Sequence, residues 1–347
     1  MKKRRISKAL SIGGVAVGGG APVVVQSMTK TDTRNVAATV RQIKELEECG
    51  CELVRLAVPD AEAATALRTI KRRAKVPLIA DIHFDYRLAL AALAAGVDGL
   101  RLNPGNISDP EQIAAVVKSA KSRKVPIRIG VNAGSLPKRP AQGSVAQRMI
   151  AAALEQVNLL ESLDFDLIKI SLKAFDVRTT VEAYRLMARK TVYPLHLGIT
   201  EAGLPREGSI RSAVGIGILL HEGIGDTIRV SLTADPREEV AAAYEILKSL
   251  DLREHGPTLV SCPTCGRCEV DLFGLARSVE KRLATIEKPV KVAVMGCVVN
   301  GPGEARDADV GIACGKGKGA IFRKGEVVGT VKGADFLEAL MREVEGV

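Results

Sequence analysis

The chain has 347 residues, 46% of them hydrophobic, enough to fill the cores of one large domain and a smaller one. Only 3% are aromatic and tryptophan is absent, so the stacking platforms of a single-strand nucleic-acid binder are missing and the formal charge of +10 needs another use. Seven cysteines, an odd number, suit a reducing compartment better than a disulfide framework, and no apolar stretch has the length of a membrane span, so a cytoplasmic protein is expected.

The chain opens with Met1-Lys2-Lys3-Arg4-Arg5 and an apolar stretch, an arrangement that superficially resembles a signal peptide. Gly13, Gly14, Gly18, Gly19 and Gly20 interrupt that stretch, and Ser11–Gly18 alternates as a hairpin does. From Pro22 onward, eight short apolar runs recur with helical periods between them: Val23–Met28, Leu53–Val58, Pro77–His83, Gly99–Asn103, Pro126–Asn132, Leu167–Lys173, Pro194–Glu201 and Thr227–Leu232. Near-continuous apolar strands alternating with helices predict a buried parallel sheet, and eight such units in about 240 residues match a closed (β/α)8 TIM-type barrel. An open doubly wound sheet is the alternative, but Gln26-Ser27-Met28-Thr29-Lys30 after the first strand carries no glycine-rich dinucleotide turn. The barrel is assigned to residues 1–255 and a small α+β domain to 256–347, with Arg253-Glu254-His255-Gly256-Pro257 as the hinge.

In such a barrel the strand C-terminal ends converge on one mouth. Arg55, His83, Arg101, Asn103, Arg128, Asn132, Lys173, Glu201, Arg229 and Ser231 all fall in or just after the second half of a strand, where a core would want Val or Leu. Five Arg and Lys around one mouth repel each other without an anion, and two phosphoryl groups would absorb their field. The competing explanation is that some of them pair with Asp81, Asp85 or Glu201 as structural bridges. Glu201 is the acid among these bases, a proton donor or an orienting partner for an Arg; His83 is either a general acid or a specificity residue. His196 and His221 receive no role.

In the last quarter, Ser261-Cys262-Pro263-Thr264-Cys265-Gly266-Arg267 supplies two thiols at C-x-x-C spacing, and Met295-Gly296-Cys297-Val298-Val299-Asn300-Gly301-Pro302-Gly303-Glu304 supplies a third thiol and a carboxylate. Three soft ligands and one hard, exchangeable one suit a reactive iron–sulfur centre. A structural zinc knot is the alternative, although it normally closes with a second Cys/His pair, and the nearest histidine, His255, lies upstream. Cys268 extends the first motif to C-x-x-C-x-x-C and ranks below Cys297 as a ligand. Around these motifs we expect a helix over Val270–Ile286, strands at Val290–Met295, Ala308–Cys314, Ala320–Phe322 and Val327–Val331, a hairpin tip at Lys316–Gly319 and a final helix over Ala334–Glu345. Cys49, Cys51 and Cys314 read as buried thiols.

With these residues assembled, the chain resembles the 4-hydroxy-3-methylbut-2-enyl diphosphate synthases, iron–sulfur enzymes of the non-mevalonate isoprenoid pathway, in their two-domain bacterial form. The resemblance covers nearly the whole length and is most specific at Ala21–Thr29, Arg101–Asn106, Ser261–Cys265 and Met295–Glu304. It implies that Cys262, Cys265, Cys297 and Glu304 hold a [4Fe-4S] cluster. It also implies that Arg55, His83, Arg101, Asn103, Arg128, Asn132, Lys173, Arg229 and Ser231 bind the substrate, with Glu201, Glu304 and His83 catalytic. The implied reaction is reductive ring opening of a cyclic diphosphate with loss of water, electrons coming from reduced flavodoxin or ferredoxin. A head-to-tail homodimer, each cluster domain capping its partner's barrel, is implied as well. Two other classes compete: a zinc-stapled protein that binds phosphorylated ligands or nucleic acid, and a pterin-type transferase, which leaves Cys297 and Glu304 without a task. A radical-SAM enzyme would need C-x-x-x-C-x-x-C near an early strand, which is absent.

Overall fold

Eight parallel strands form the largest of three sheets in the computed structural model, which describes every residue except 1, 84, 103–108, 137–142, 298–302 and 304. The chain divides into two compact units, Met1–Arg253 and Glu254–Val347.

In the first unit a hairpin, β1 (Leu10–Ile12) and β2 (Val15–Val17), precedes the barrel. The barrel strands are β3 (Val24–Met28), β4 (Leu53–Ala57), β5 (Leu78–Ile82), β6 (Gly99–Leu102), β7 (Ile127–Asn132), β8 (Ile168–Lys173), β9 (His196–Leu197) and β10 (Thr227–Ile228). They pair in parallel in the order β8-β7-β6-β5-β4-β3-β10-β9, and a parallel bridge between Ile170 and Leu195 joins the two ends. The helices are α1 (Val36–Glu48), α2 (Ala61–Arg73), α3 (Tyr86–Ala95), α4 (Pro110–Ser122), α5 (Val145–Ser162), α6 (Val177–Lys190), α7 (Pro205–His221) and α8 (Pro236–Lys248). Each buries one apolar stripe against the strands, as Val40, Ile43 and Leu46 of α1 do. Seven of the eight start at an Asn, Asp or Ser whose side chain accepts a backbone N–H of the first turn: Asn35, Asp60, Asp85, Asp109, Ser144, Asp176 and Asp235. Asp85 is used up in this way, with Arg87 as its ion partner on the surface, and among the described residues it bridges no mouth cation.

The barrel interior is layered. At the strand starts, Val24, Leu53 and Ile79 pack on Leu10, Ile12 and Val17 of the hairpin, an apolar plug that seals this end. Two residues further along the strands the inward positions are Gln26, Arg55, Asp81, Arg101, Arg128, Lys169, His196 and Thr227. A TIM barrel ordinarily puts branched apolar side chains there. This polar layer is what positions the site.

In the second unit β11 (Thr258–Ser261), β12 (Lys291–Met295) and β13 (Val310–Gly315) are parallel, and β14 (Lys318–Arg323) and β15 (Glu326–Lys332) continue the sheet antiparallel. Helices α9 (Leu272–Leu283) and α10 (Phe336–Glu345) cover one face through Leu272, Val279, Leu283, Phe336 and Leu340. β11 is an element the residue pattern did not announce. The expected tip between β13 and β14 is present, with Gly317 at φ 72. Cys51 and Cys314 are buried as expected, whereas Cys49 is only half-buried.

Candidate functional site

Asp81, in the middle of β5 and 2% exposed, is the hub of the barrel interior. Its Oδ2 lies 3.4 Å from Arg55 Nε and 3.4 Å from His83 Nε2, and its Oδ1 accepts Arg101 Nη1 at 3.1 Å. Burial opposes its ionisation, but the Arg55 charge, the His83 hydrogen bond and the Arg101 charge outweigh it and hold the carboxyl well below the ordinary range. Arg55 in turn is pulled down to about 10 by burial, and its guanidinium also rests on Met28 Sδ, 2.8 Å from Nη2. Arg101 donates from Nη2 to Gly130 O at 3.3 Å, and a Cβ on Gly130 would stand 2.6 Å from Arg101 Nε. A glycine is thus required where two neighbouring strands press the guanidinium between them.

A second carboxylate, Glu239 of α8, is 1% exposed and anchors the other side. It accepts Ser27 Oγ at 3.0 Å and the Leu232 N–H at 3.0 Å, and lies 3.2 Å from Lys30 Nζ and 3.4 Å from Arg229 Nε. Pairing by Asp81 and Glu239 therefore accounts for Arg55, Arg101 and Arg229. It leaves Arg128, Lys169 and Lys173, which form no ion pair among the described residues. Arg128 is 3% exposed with Nε and Nη1 unpartnered, Lys169 is 2% exposed with Nζ unpartnered, and Lys173 is 6% exposed. Burial, then the neighbouring arginines, pushes both lysines well below their ordinary range. So much uncompensated buried cation is costly in isolation and favours an anionic guest.

The remaining mouth residues are less deeply set. Asn132 closes β7 and His83 follows β5 half-exposed, while Ser231 is half-buried beyond β10. Glu201 is not at a strand end: β9 stops at Leu197, and Glu201 stands exposed in a bend at φ 53, a left-handed backbone that costs a non-glycine residue energy. Asn103 lies outside the described residues. Asp81 is thus the structural bridge that the sequence offered for some of these cations, whereas Glu239 and Lys169 are not among the residues expected there. Asp81 and Lys169 carry a signal, a lone charge inside an apolar run; Glu239 looks like any acid in the first turn of a helix.

In the second unit Cys262 directly follows β11 and Cys297 follows β12, its parallel neighbour, so both stand at the same end of the sheet. The Cys262 N–H donates to Val294 O at 3.1 Å. The two ligand turns touch through Cys268, whose sulfur lies 2.8 Å from where a Cβ on Gly296 would be. That sulfur donates to Val270 O at 3.4 Å and packs on the core, while Cys265 is exposed. All seven cysteines are described and none is in a disulfide. Among the described residues no group of three His, Cys, Asp and Glu side chains stands close enough to hold a metal ion, and Glu304 lies outside them. The donor set itself, three free thiols in the turns that follow two neighbouring strands, is of the chemical type that suits an iron–sulfur cluster.

Fold and site define a two-unit protein: a (β/α)8 barrel with a cationic interior, and a thiol-bearing α+β unit. The description "GcpE TIM-barrel domain" matches residues 7–244 and "GcpE protein C-terminal domain" matches 258–346. Proteins named 4-hydroxy-3-methylbut-2-en-1-yl diphosphate synthase (flavodoxin) are similar over nearly the whole length. The one from Dehalococcoides mccartyi is 65% identical over 99% of both chains, and that from Geobacter sulfurreducens 59% identical over 98% of this chain and 97% of its own. The chain belongs to this family of oxidoreductases, and it is an enzyme. Among solved structures, dihydropteroate synthase from Xanthomonas albilineans covers 71% of this chain and 98% of its own at a TM-score of 0.54 and 18% identity, a likeness of the barrel fold alone.

Proposed function

We propose that the enzyme reductively opens 2-C-methyl-D-erythritol 2,4-cyclodiphosphate to 4-hydroxy-3-methylbut-2-enyl diphosphate in isoprenoid synthesis, with electrons from a reduced flavodoxin. The observation that carries this reading is the excess of buried cation in the barrel, Arg128 and Lys173 above all, in a chain of this family. Arg128 offers unpartnered guanidinium N–H donors to one phosphoryl group, and Lys173 and Arg229 neutralise the second. Asp81 holds Arg55 and Arg101 in place, so the field is set before substrate arrives. Asn103, Asn132 and Ser231 complete the polar rim, and His83, tied to Asp81, orients toward the carbon skeleton. Glu201 serves as the acid that protonates the departing oxygen, which leaves as water.

Cys262, Cys265, Cys297 and Glu304 are the residues that would hold a [4Fe-4S] cluster, which when bound passes two electrons singly. The alternation of a half-buried and an exposed thiol in one turn supports this, giving a centre reachable by a protein electron donor. A head-to-tail homodimer is part of the reading, supported by the shortness of the segment joining the units.

Anaerobic purification with absorption spectra and metal analysis tests the proposal. The expected result is a brown protein with about four irons and four sulfides per chain, active on the cyclic diphosphate with a reduced flavodoxin. A colourless protein with one tetrahedral zinc per chain would overturn it.

A further inference from the structure

Lys169 has no part in the mouth described above, yet its Nζ is buried with no ion pair among the described residues. It lies on β8 four residues before Lys173, about 13 Å deeper along the strand, in register with Arg128 on β7. Its ammonium is buried without a hydrogen-bond partner. The acid nearest in effect, Asp226, is already committed: it accepts Ser7 Oγ at 2.6 Å and the Leu195 N–H at 2.8 Å, and sits 3.9 and 4.0 Å from Arg4 and Arg5. Asp81 is likewise shared among three bases. Beside Lys169, His196 is fully buried, with Nδ1 bound to Thr227 Oγ1 at 2.7 Å and Nε2 unpartnered. Unpaired atoms of Arg128, Lys169 and His196 thus come from three neighbouring strands, with His196 level with Ser171, two residues along β8 from Lys169. Native interiors seldom leave such groups unsatisfied, and ordered water or a bound ion is what ordinarily completes them.

We propose that Lys169 is the floor of the anion site: with the unpartnered guanidinium N–H donors of Arg128 and the ring of His196 it seats the deeper phosphoryl group of a diphosphate. The inference rests on the reading that the barrel takes a diphosphate, and adds a residue and a depth to it. Lys169 is faced by Arg128 and Arg55, with Asp226 the one acid that favours its charge; His196 is faced by Lys173, Arg128, Lys169 and Arg55. In that company the amine takes up its proton less readily than an ordinary lysine until an anion arrives. Anion binding at mildly alkaline pH must then draw a proton from solution.

The experiment uses the whole enzyme and inorganic pyrophosphate as probe. Titration calorimetry at about pH 8.5 in buffers of differing ionisation enthalpy gives both affinity and proton uptake. We expect the wild type to bind with net proton uptake, and Lys169→Met to bind about tenfold or more weakly with that uptake reduced. Without pyrophosphate the variant should melt no lower than the wild type, because an apolar side chain of similar length replaces an unpaired buried amine. Equal affinity and equal uptake in the two proteins would overturn the role of Lys169 and leave the diphosphate reading standing. No pyrophosphate binding by the wild type would overturn both. Lys75→Met, an exposed surface control, should change neither quantity.

Discussion

Asp81 shows how a cluster of buried cations is held together inside a folded barrel. Its two oxygens serve Arg55, Arg101 and His83 at 3.1 to 3.4 Å, so a single acid orders half of the mouth. Removing that charge leaves two guanidinium groups buried together. We expect Asp81→Asn to lose about 3–5 kcal/mol of stability at neutral pH, the usual consequence of breaking a buried pair, read by urea or thermal denaturation. The sign with pH is definite. The folded carboxyl is held below its unfolded value, so its contribution is full above about pH 4 and falls away in acid; the gap between variant and wild type should narrow below that pH. Substrate affinity should fall as well. The cations of this site were legible because a charge in an apolar strand is conspicuous. Glu239 was not, since nothing in the residue order places an acid of α8 against Arg229.

At the level of elements, strands do the positioning and glycines set the clearances. Gly130 leaves the space that Arg101 occupies, and Gly198 does the same for Lys173, whose Nζ would stand 2.6 Å from an added Cβ. Gly130→Ala should therefore shift the Arg101 guanidinium off Asp81, raising KM for the diphosphate with a smaller effect on kcat. An unchanged KM would show that Arg101 tolerates the displacement. The first six barrel strands fell within a residue or two of their apolar runs. The seventh and eighth are only two residues each, His196–Leu197 and Thr227–Ile228, although their apolar runs continue. An apolar alternation records burial, and burial persists past Leu197 and Ile228 where regular pairing does not. β11 escaped notice for the opposite reason: Thr258–Ser261 is partly exposed and becomes a strand by pairing with β12.

Over the whole molecule the charge is unevenly shared. Residues 254–347 contain 13 basic and 13 acidic side chains, so the entire +10 belongs to Met1–Arg253. The thiol-bearing unit has no net formal charge, so long-range attraction for an acidic electron carrier comes mainly from the barrel unit. Buried bases also set the response to pH. His196, Lys169 and Lys173 are all held below their unfolded values, so the unfolded chain binds more protons and stability must rise with pH. The melting temperature of the ligand-free enzyme should climb from about pH 5 to 8, and pyrophosphate should flatten that slope by neutralising the same groups. A flat profile without ligand would mean that these bases are already paired. Order of residues alone determined the barrel, the second α+β unit, the cationic mouth and the cysteine turns, because burial periodicity, glycine turns and ligand spacing are local properties of the chain. Only the tertiary structure decided which cations are neutralised and which are left waiting. That depends on Asp81 and Glu239 reaching them from other elements across the barrel wall, through distances that no local pattern contains.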